Sequence, residues 1–87
     1  MSLTKEMKAR RAKEILEDDV FLEVVAKAKS SLIGQWSLTE LTDTATRESL
    51  YHQDRGLDEV LRHLRILIND FTIEQKRTNK VKPHNAN

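Results

Sequence analysis

The sequence predicts an all-α protein, either a helical hairpin or a three-helix assembly, whose C-terminal half is one long amphipathic helix. Two observations predict this class. Apolar residues recur at steps of three and four over most of the chain, which is the period of a helix face. The 87 residues include two Gly and one Pro, too few for the many turns that a sheet requires. At this length the chain forms at most one domain.

The first predicted helix begins after Thr4, whose hydroxyl can cap a helix N-terminus, and runs to about Glu17. It carries a thin apolar stripe made of Met7, Ala12, Ile15 and Leu16. Such a short helix is marginally stable alone and needs a neighbour. Asp18 and Asp19 offer a second N-cap, and the sequence leaves open whether the chain bends there or continues as one helix.

The second predicted helix has a clear apolar face. Its members are Phe21, Val25, Ala28, Leu32 and Trp36. Residues 37–44 are predicted to be the connection, because their Ser, Thr and Asp side chains compete for backbone hydrogen bonds. We expect Leu38 and Leu41 to pack back onto the core, and Asp43 or Thr44 to cap the last helix.

The last helix gives the strongest pattern and runs from about Ala45 to Thr72 or beyond. Eight of its apolar side chains fall within an arc of roughly 120°, the width of a helix face that packs on a core. They are Leu50, Leu57, Val60, Leu61, Leu64, Leu67, Ile68 and Phe71. Gly56 costs this helix roughly 1 kcal/mol relative to Ala and is suited to a bend or a close helix approach. We therefore predict one helical domain over residues 1–73 and a basic, polar, flexible tail over residues 74–87.

Composition argues against several classes of protein. The chain has no cysteine, which excludes a disulfide framework and thiolate metal sites. No apolar run approaches the ~20 residues that span a bilayer, and residues 1–11 lack the apolar segment of a secretory signal. We therefore expect a soluble cytoplasmic protein with no membrane partner.

The charges form blocks, although the net charge is only +1. Both ends are basic, and an acidic block over residues 14–26 follows the first of them. A nucleic-acid contact would use the cations of the two ends, namely Lys8, Arg10, Arg11, Lys13, Lys76, Arg77, Lys80 and Lys82. The small net charge and the lack of aromatic residues among these bases argue against a dedicated nucleic-acid-binding domain. Nucleic-acid binding is therefore the alternative hypothesis.

No motif of phosphate binding, nucleophilic catalysis or zinc binding is present. Two Glu/His pairs, Glu48 with His52 and Glu59 with His63, share one face of the last helix, and a metal site across a dimer is conceivable. Metal sites in helical bundles are built from inward-facing residues, however, and these four face away from the apolar arc. We therefore expect a solvated polar face, and no enzyme, cofactor, metal or small-molecule substrate.

Four residues are the candidates for contact with a protein partner: Trp36, Arg47, Tyr51 and Ile66. Trp is enriched in binding hot spots, although the favoured interpretation of Trp36 is a plug at the corner of the bundle. Arg47 and Tyr51 lie four residues apart on a flank of the apolar arc, either as a contact patch or as rim packing. Ile66 lies on the polar face, where it favours burial of a second face by a partner or by another copy of the chain.

Several residues follow one another in a defined pattern: Ala12-x-x-Ile15-Leu16, Phe21-x-x-x-Val25, Leu32-x-x-x-Trp36, a polar connector with Asp43, and Arg47-Glu48-x-Leu50-Tyr51. This pattern resembles a group of small uncharacterised helical proteins of tailed bacteriophages and prophages, encoded among head, portal and packaging genes. It covers residues 12–73, and the basic ends lie outside it. The resemblance implies a structural or assembly role in a phage particle, within the bacterial host or the virion, and carries over no catalytic residue.

These observations together predict a non-catalytic protein–protein interaction module that acts through an amphipathic helical bundle. The apolar surface exceeds what 87 residues can bury alone. This excess favours a homo-oligomer or docking onto a larger protein partner.

Overall fold

The computed structural model describes residues 3–81, and the side chains of residues 3–78 within that range. This part of the chain forms three α-helices, α1 (Lys5–Leu16), α2 (Asp19–Ser37) and α3 (Thr44–Val81). Residues 3–81 contain no strand. The predicted all-α class is therefore confirmed, and the long C-terminal helix has 38 residues.

Side-chain caps set the start of the first two helices. Thr4 has an extended backbone, and its hydroxyl accepts a hydrogen bond from the Met7 N–H at 3.1 Å. The Asp18 carboxylate accepts a hydrogen bond from the Phe21 N–H at 2.8 Å. Asp18 also leaves the helical conformation, with ψ at 122°. Hence α1 and α2 are separate helices, which answers the question that the sequence left open.

The molecule is a helical hairpin in which α1 and α2 form one arm and α3 forms the other. Three side-chain contacts set the register, joining Trp36 to Arg47, Lys29 to Asp54 and Asp58, and Lys5 to Glu74. From the first of these contacts to the last, the residue number decreases in the first arm and increases in α3. Both α1 and α2 therefore run antiparallel to α3. The hairpin is elongated and measures 69 × 25 × 24 Å.

The two parts of the first arm pack differently against α3. α1 lies closer, because its contact residues are Ala9 and Ala12, which are 5% and 2% exposed. Small side chains let two helix backbones approach. α2 presents larger side chains, among them Phe21 and Leu32, which are half-buried. Leu50 on α3 is the other buried residue within the side chains that the structure describes.

The apolar arc predicted on α3 is only partly covered. Its half-buried members are Leu57, Leu61, Leu64, Ile68 and Phe71. Val60 and Leu67 remain 57% and 38% exposed, because a two-layer hairpin covers one side of each helix. The accessible surface is 7304 Å², whereas a compact protein of this mass exposes about 5,300 Å². The hairpin thus leaves a surplus of about 2,000 Å².

The C-terminal boundary differs from the prediction. α3 extends to Val81, so residues 74–81, which were assigned to the tail, are helical. The segment contains Glu, Gln, Lys and Arg, which are good helix formers, and the Thr78 hydroxyl donates a hydrogen bond to the Glu74 carbonyl at 3.0 Å. The remainder of the predicted tail, residues 82–87, lies outside the described residues.

Candidate functional site

The connector between α2 and α3, residues 38–43, is held by local hydrogen bonds. The Thr39 hydroxyl donates to the Trp36 carbonyl at 2.7 Å. The Asp43 carboxylate accepts from the Thr46 N–H at 3.2 Å and so caps α3, as predicted. Hydrogen bonds from the Thr46 side chain and from its backbone lower the pKa of Asp43. The connector therefore has a defined shape although it lies at the end of the molecule.

Arg47 joins the connector to both helices that it links. Its guanidinium carbon lies 4.5 Å from the centre of the Trp36 ring, which is a cation–π contact. Its Nε donates a hydrogen bond to the Thr39 hydroxyl oxygen at 2.8 Å. Thr39 in turn donates to the Trp36 carbonyl, so one half-buried Arg side chain holds both the ring and the backbone at the end of α2.

The hairpin tip exposes a set of large apolar residues, here called the tip patch: Ile33, Trp36, Leu38, Leu41 and Tyr51. Leu38 and Leu41 are 87% and 81% exposed, so the prediction that they pack onto the core is wrong. Because α1 lies at the far end of α3, no element covers the connector. The ring of Tyr51 meets that of His52 edge-on, with 5.6 Å between the ring centres.

Two shallow depressions make part of the tip patch continuous. One is lined by Leu32, Ile33, Trp36, Leu50, Tyr51 and Asp54. Its neighbour is lined by Trp36, Leu41, Thr44, Arg47, Glu48 and Tyr51. Trp36 and Tyr51 belong to both, so they form the ridge between the depressions. Such a surface of aromatic ridges and apolar hollows is suited to contact with a protein.

The structure brings together three of the four residues predicted for partner contact. Trp36, Arg47 and Tyr51 meet at the tip, whereas Ile66 lies about 22 Å farther along α3 from Tyr51. Ile66 is half-buried, unlike the exposed residue expected on the polar face. The exposure of Leu38 and Leu41 was not predicted from the sequence. The feature that could have indicated it is their position in a short connector whose other residues are polar.

Trp36 is packed on one side and exposed on the other. One side of its indole is covered by Arg47, which agrees with a plug at the corner of the hairpin. The side chain nevertheless remains 39% exposed. Within residues 3–78, no hydrogen bond joins its indole N–H to a carbonyl. A donor at the surface is therefore left for solvent or for a partner.

A cluster of three charges lies beside the tip, between the two arms. Lys29 Nζ lies 2.7 Å from the Asp58 carboxylate and 3.1 Å from that of Asp54. Hydrogen bonds to Asp58 and then to Asp54 raise the pKa of Lys29, and the bond from Lys29 lowers the pKa of Asp58. Because Asp54 also lines the first depression, this cluster fixes the polar border of the tip patch.

The far end of the hairpin is basic, here called the basic end. The Lys5 ammonium lies 2.9 Å from the Glu74 carboxylate, so the start of α1 lies beside the end of α3. The predicted nucleic-acid residues described there are exposed: Lys8, Arg10, Arg11, Lys13, Lys76 and Arg77. Arg10 is also paired with Glu6 at 3.2 Å. Lys80 (its side chain) and Lys82 lie outside the described residues.

The Glu/His face of α3 forms no metal cluster in the part of the chain described. There, no three His, Asp or Glu side chains come close enough to hold an ion. His52 and His63 are separated by about 16 Å along the helix. Glu59 is engaged by the Arg62 guanidinium, which lowers its pKa.

No family model, no curated protein and no solved structure matches this chain. Within residues 3–81, none of the helices has both the length and the apolar character needed to cross a bilayer.

Proposed function

We propose that the chain is a non-catalytic protein-interaction module that docks onto a protein partner through the tip patch. The observation that carries the proposal is the exposure of Trp36 and Tyr51 at the ends of α2 and α3, beside the exposed Leu38 and Leu41 of the connector. Arg47 holds this end of the hairpin through Trp36 and Thr39. Trp, Tyr and Arg are the residue types that contribute most to binding at protein interfaces. A surface already ordered in the free chain also costs little conformational entropy on binding.

The partner that suits this patch presents an apolar cleft with acceptors at its rim. The Trp36 ring and the two connector leucines would enter the cleft, and the indole N–H would donate to a rim acceptor. The resemblance to small phage and prophage proteins supports a setting, which is the assembly of a phage head, portal or packaging complex. In that setting the chain acts as a small structural or assembly component.

The test compares two variants of the tip patch with one control variant at the opposite end of α3, where the side chain is as exposed as Tyr51. Tyr51 is 55% exposed at the tip, and Ile73 is 54% exposed near the opposite end. The tagged chain is recovered from its own source, and the mass and composition of the native complex are measured. We expect Tyr51→Ala and Leu41→Asp to lose the co-purified protein and Ile73→Ala to retain it. Equal retention by all three variants would contradict the proposal.

A second candidate, nucleic-acid binding, is favoured by one observation. The antiparallel hairpin brings the basic start of α1 beside the basic end of α3, as the Lys5–Glu74 pair shows. Binding to several phosphates requires such a cluster of cations. Each phosphate contact contributes about 0.9 to the slope with which the logarithm of the binding constant falls against the logarithm of the salt concentration. The candidate predicts that Lys8→Glu/Arg11→Glu weakens binding to random-sequence DNA and reduces that slope. Salt-independent binding, or none in low salt, would exclude it.

A further inference from the structure

One face of α3, next to the covered arc, is open and largely apolar. A shallow groove on it is lined by Gly56, Glu59, Val60, His63, Leu64 and Leu67. These residues recur at steps of three and four, so they form one stripe along the helix, here called the Gly56 stripe. Apart from the neighbouring backbone of its own helix, a Cβ placed on Gly56 would have no atom within 4 Å. The stripe therefore has a hole at Gly56 and a projecting side chain, Leu67, about 16 Å away.

The Gly56 stripe is complementary in shape to a second copy of itself. In an antiparallel pair of α3 helices, a two-fold axis between residues 61 and 62 brings Leu67 of each copy opposite Gly56 of the other. The same axis brings Val60 opposite His63. A glycine hole receives a large side chain and lets the backbones approach, and a two-fold interface uses one patch twice.

The polar edge of the stripe agrees with this pairing. Under the same axis, Glu59 of one copy comes to the level of His63 of the other, and Asp70 comes to the level of His52. Both His residues and both acids are exposed in the single chain. Carboxylates therefore meet imidazoles and avoid one another across the interface, so the arrangement has no like-charge pair at its centre.

The apolar side chains of the stripe are available for such a dimer, because Val60 and Leu67 are 57% and 38% exposed. A standard interface buries about 800 Å² on each partner. We infer that two copies associate through the Gly56 stripe as an antiparallel two-fold dimer. The two tip patches then lie at opposite ends, which makes the dimer bivalent toward a protein partner. The dimer itself does not depend on the proposed function.

Disulfide trapping tests the pairing directly, because the chain has no cysteine of its own. The variant Gly56→Cys/Leu67→Cys cannot close a bridge within one helix, since about 16 Å separates the two positions and a disulfide needs Cα atoms within about 7 Å. We expect mild oxidation to give a covalent dimer, and a mixture of the two single variants to give a heterodimer. A control pair on α2, Val20→Cys/Gly34→Cys, leaves the stripe intact and should form no covalent dimer. Equal trapping of both pairs, or no trapping of the Gly56/Leu67 pair, would overturn the inference.

Sedimentation of the uncross-linked chain gives an independent measurement. We expect a mass twice 10.1 kDa for the wild type, and a dimer Kd at least ~30-fold weaker for Leu67→Asp. Gly56→Leu fills the hole and should act likewise, with helicity checked by circular dichroism for both. Leu38→Asp, at the tip, should remain dimeric but lose the protein partner, which separates this inference from the proposed function. A monomeric wild type, or a folded Leu67→Asp that dimerises normally, would disprove the dimer.

Discussion

Replacement of Arg47 by Met tests whether this side chain holds the hairpin tip. Met keeps the aliphatic stem but loses the guanidinium. The cation–π contact with Trp36 contributes about 0.5–1 kcal/mol at a surface site, and the hydrogen bond to Thr39 contributes about 1 kcal/mol. The two interactions together predict a loss of about 1.5–2 kcal/mol in the free energy of unfolding. For a domain of this size each kcal/mol shifts Tm by about 4–8 °C.

Two signals separate a local effect at the tip from a global one. Far-ultraviolet circular dichroism follows all the helices, whereas fluorescence follows Trp36, the only tryptophan of the chain. We expect Arg47→Met to lower the urea midpoint by both signals and to change the native fluorescence, at a fixed protein concentration. The control is Arg55→Met, an exposed position on the same helix, expected to change stability by no more than ~0.5 kcal/mol. If Arg47→Met were as stable as Arg55→Met, the role assigned to Arg47 would be wrong.

Three further predictions concern the rest of the hairpin. Ala12→Leu should lower the free energy of unfolding by about 1–3 kcal/mol, because α1 has no room for a larger side chain against α3; an unchanged thermal midpoint would contradict this close packing. Gly34→Ala should raise the free energy of unfolding by about 1 kcal/mol, because beyond its own helix backbone the new methyl group meets no atom within 4 Å. A lower thermal midpoint would show that the methyl group makes an unfavourable contact. Because the hydrogen bond from Lys29 lowers the pKa of Asp58, we expect the free energy of unfolding to decrease as the pH falls below 3.8. Because the hydrogen bonds to Asp58 and Asp54 raise the pKa of Lys29, we also expect the free energy of unfolding to decrease as the pH rises above 10.5. In urea titrations, Lys29→Met should lose less of its free energy of unfolding than the wild type at both low and high pH. Equal losses in the two proteins would refute the coupling between Lys29 and Asp58.

Most of the fold could be predicted because helix periodicity is a local property of the sequence. The heptad spacing of Leu50, Leu57, Leu64 and Phe71 predicts α3, and the Thr4 cap predicts the start of α1. The break at Asp18 was harder, because a capping residue can also lie within a continuous helix. The structure shows the extended backbone of Asp18 and its hydrogen bond from the Phe21 N–H, and residue spacing alone does not distinguish this cap from a continuous helix.

The candidate site was predictable only in part, because burial depends on how many layers cover a helix. Trp36, Arg47 and Tyr51 follow from residue type and helical spacing. Leu38 and Leu41 were assigned to the core because leucine is usually buried, but no third layer covers the connector. The last helix was predicted to run to Thr72 or beyond, and its end at Val81 could not be placed from the apolar pattern because residues 74–81 are mostly polar and charged.

The junction at Asp18 explains why the hairpin keeps its binding surfaces free. A compact three-helix bundle requires the chain to reverse between α1 and α2, so that α1 covers the open side of α3. Here only Glu17 and Asp18 separate the two helices, and the extended backbone of Asp18 does not fold the chain back. As a result, α1 continues along α3 beyond α2. The Gly56 stripe therefore stays uncovered beside α2, and the connector stays uncovered at the tip. Both surfaces follow from a single capping residue that redirects the chain without folding it back.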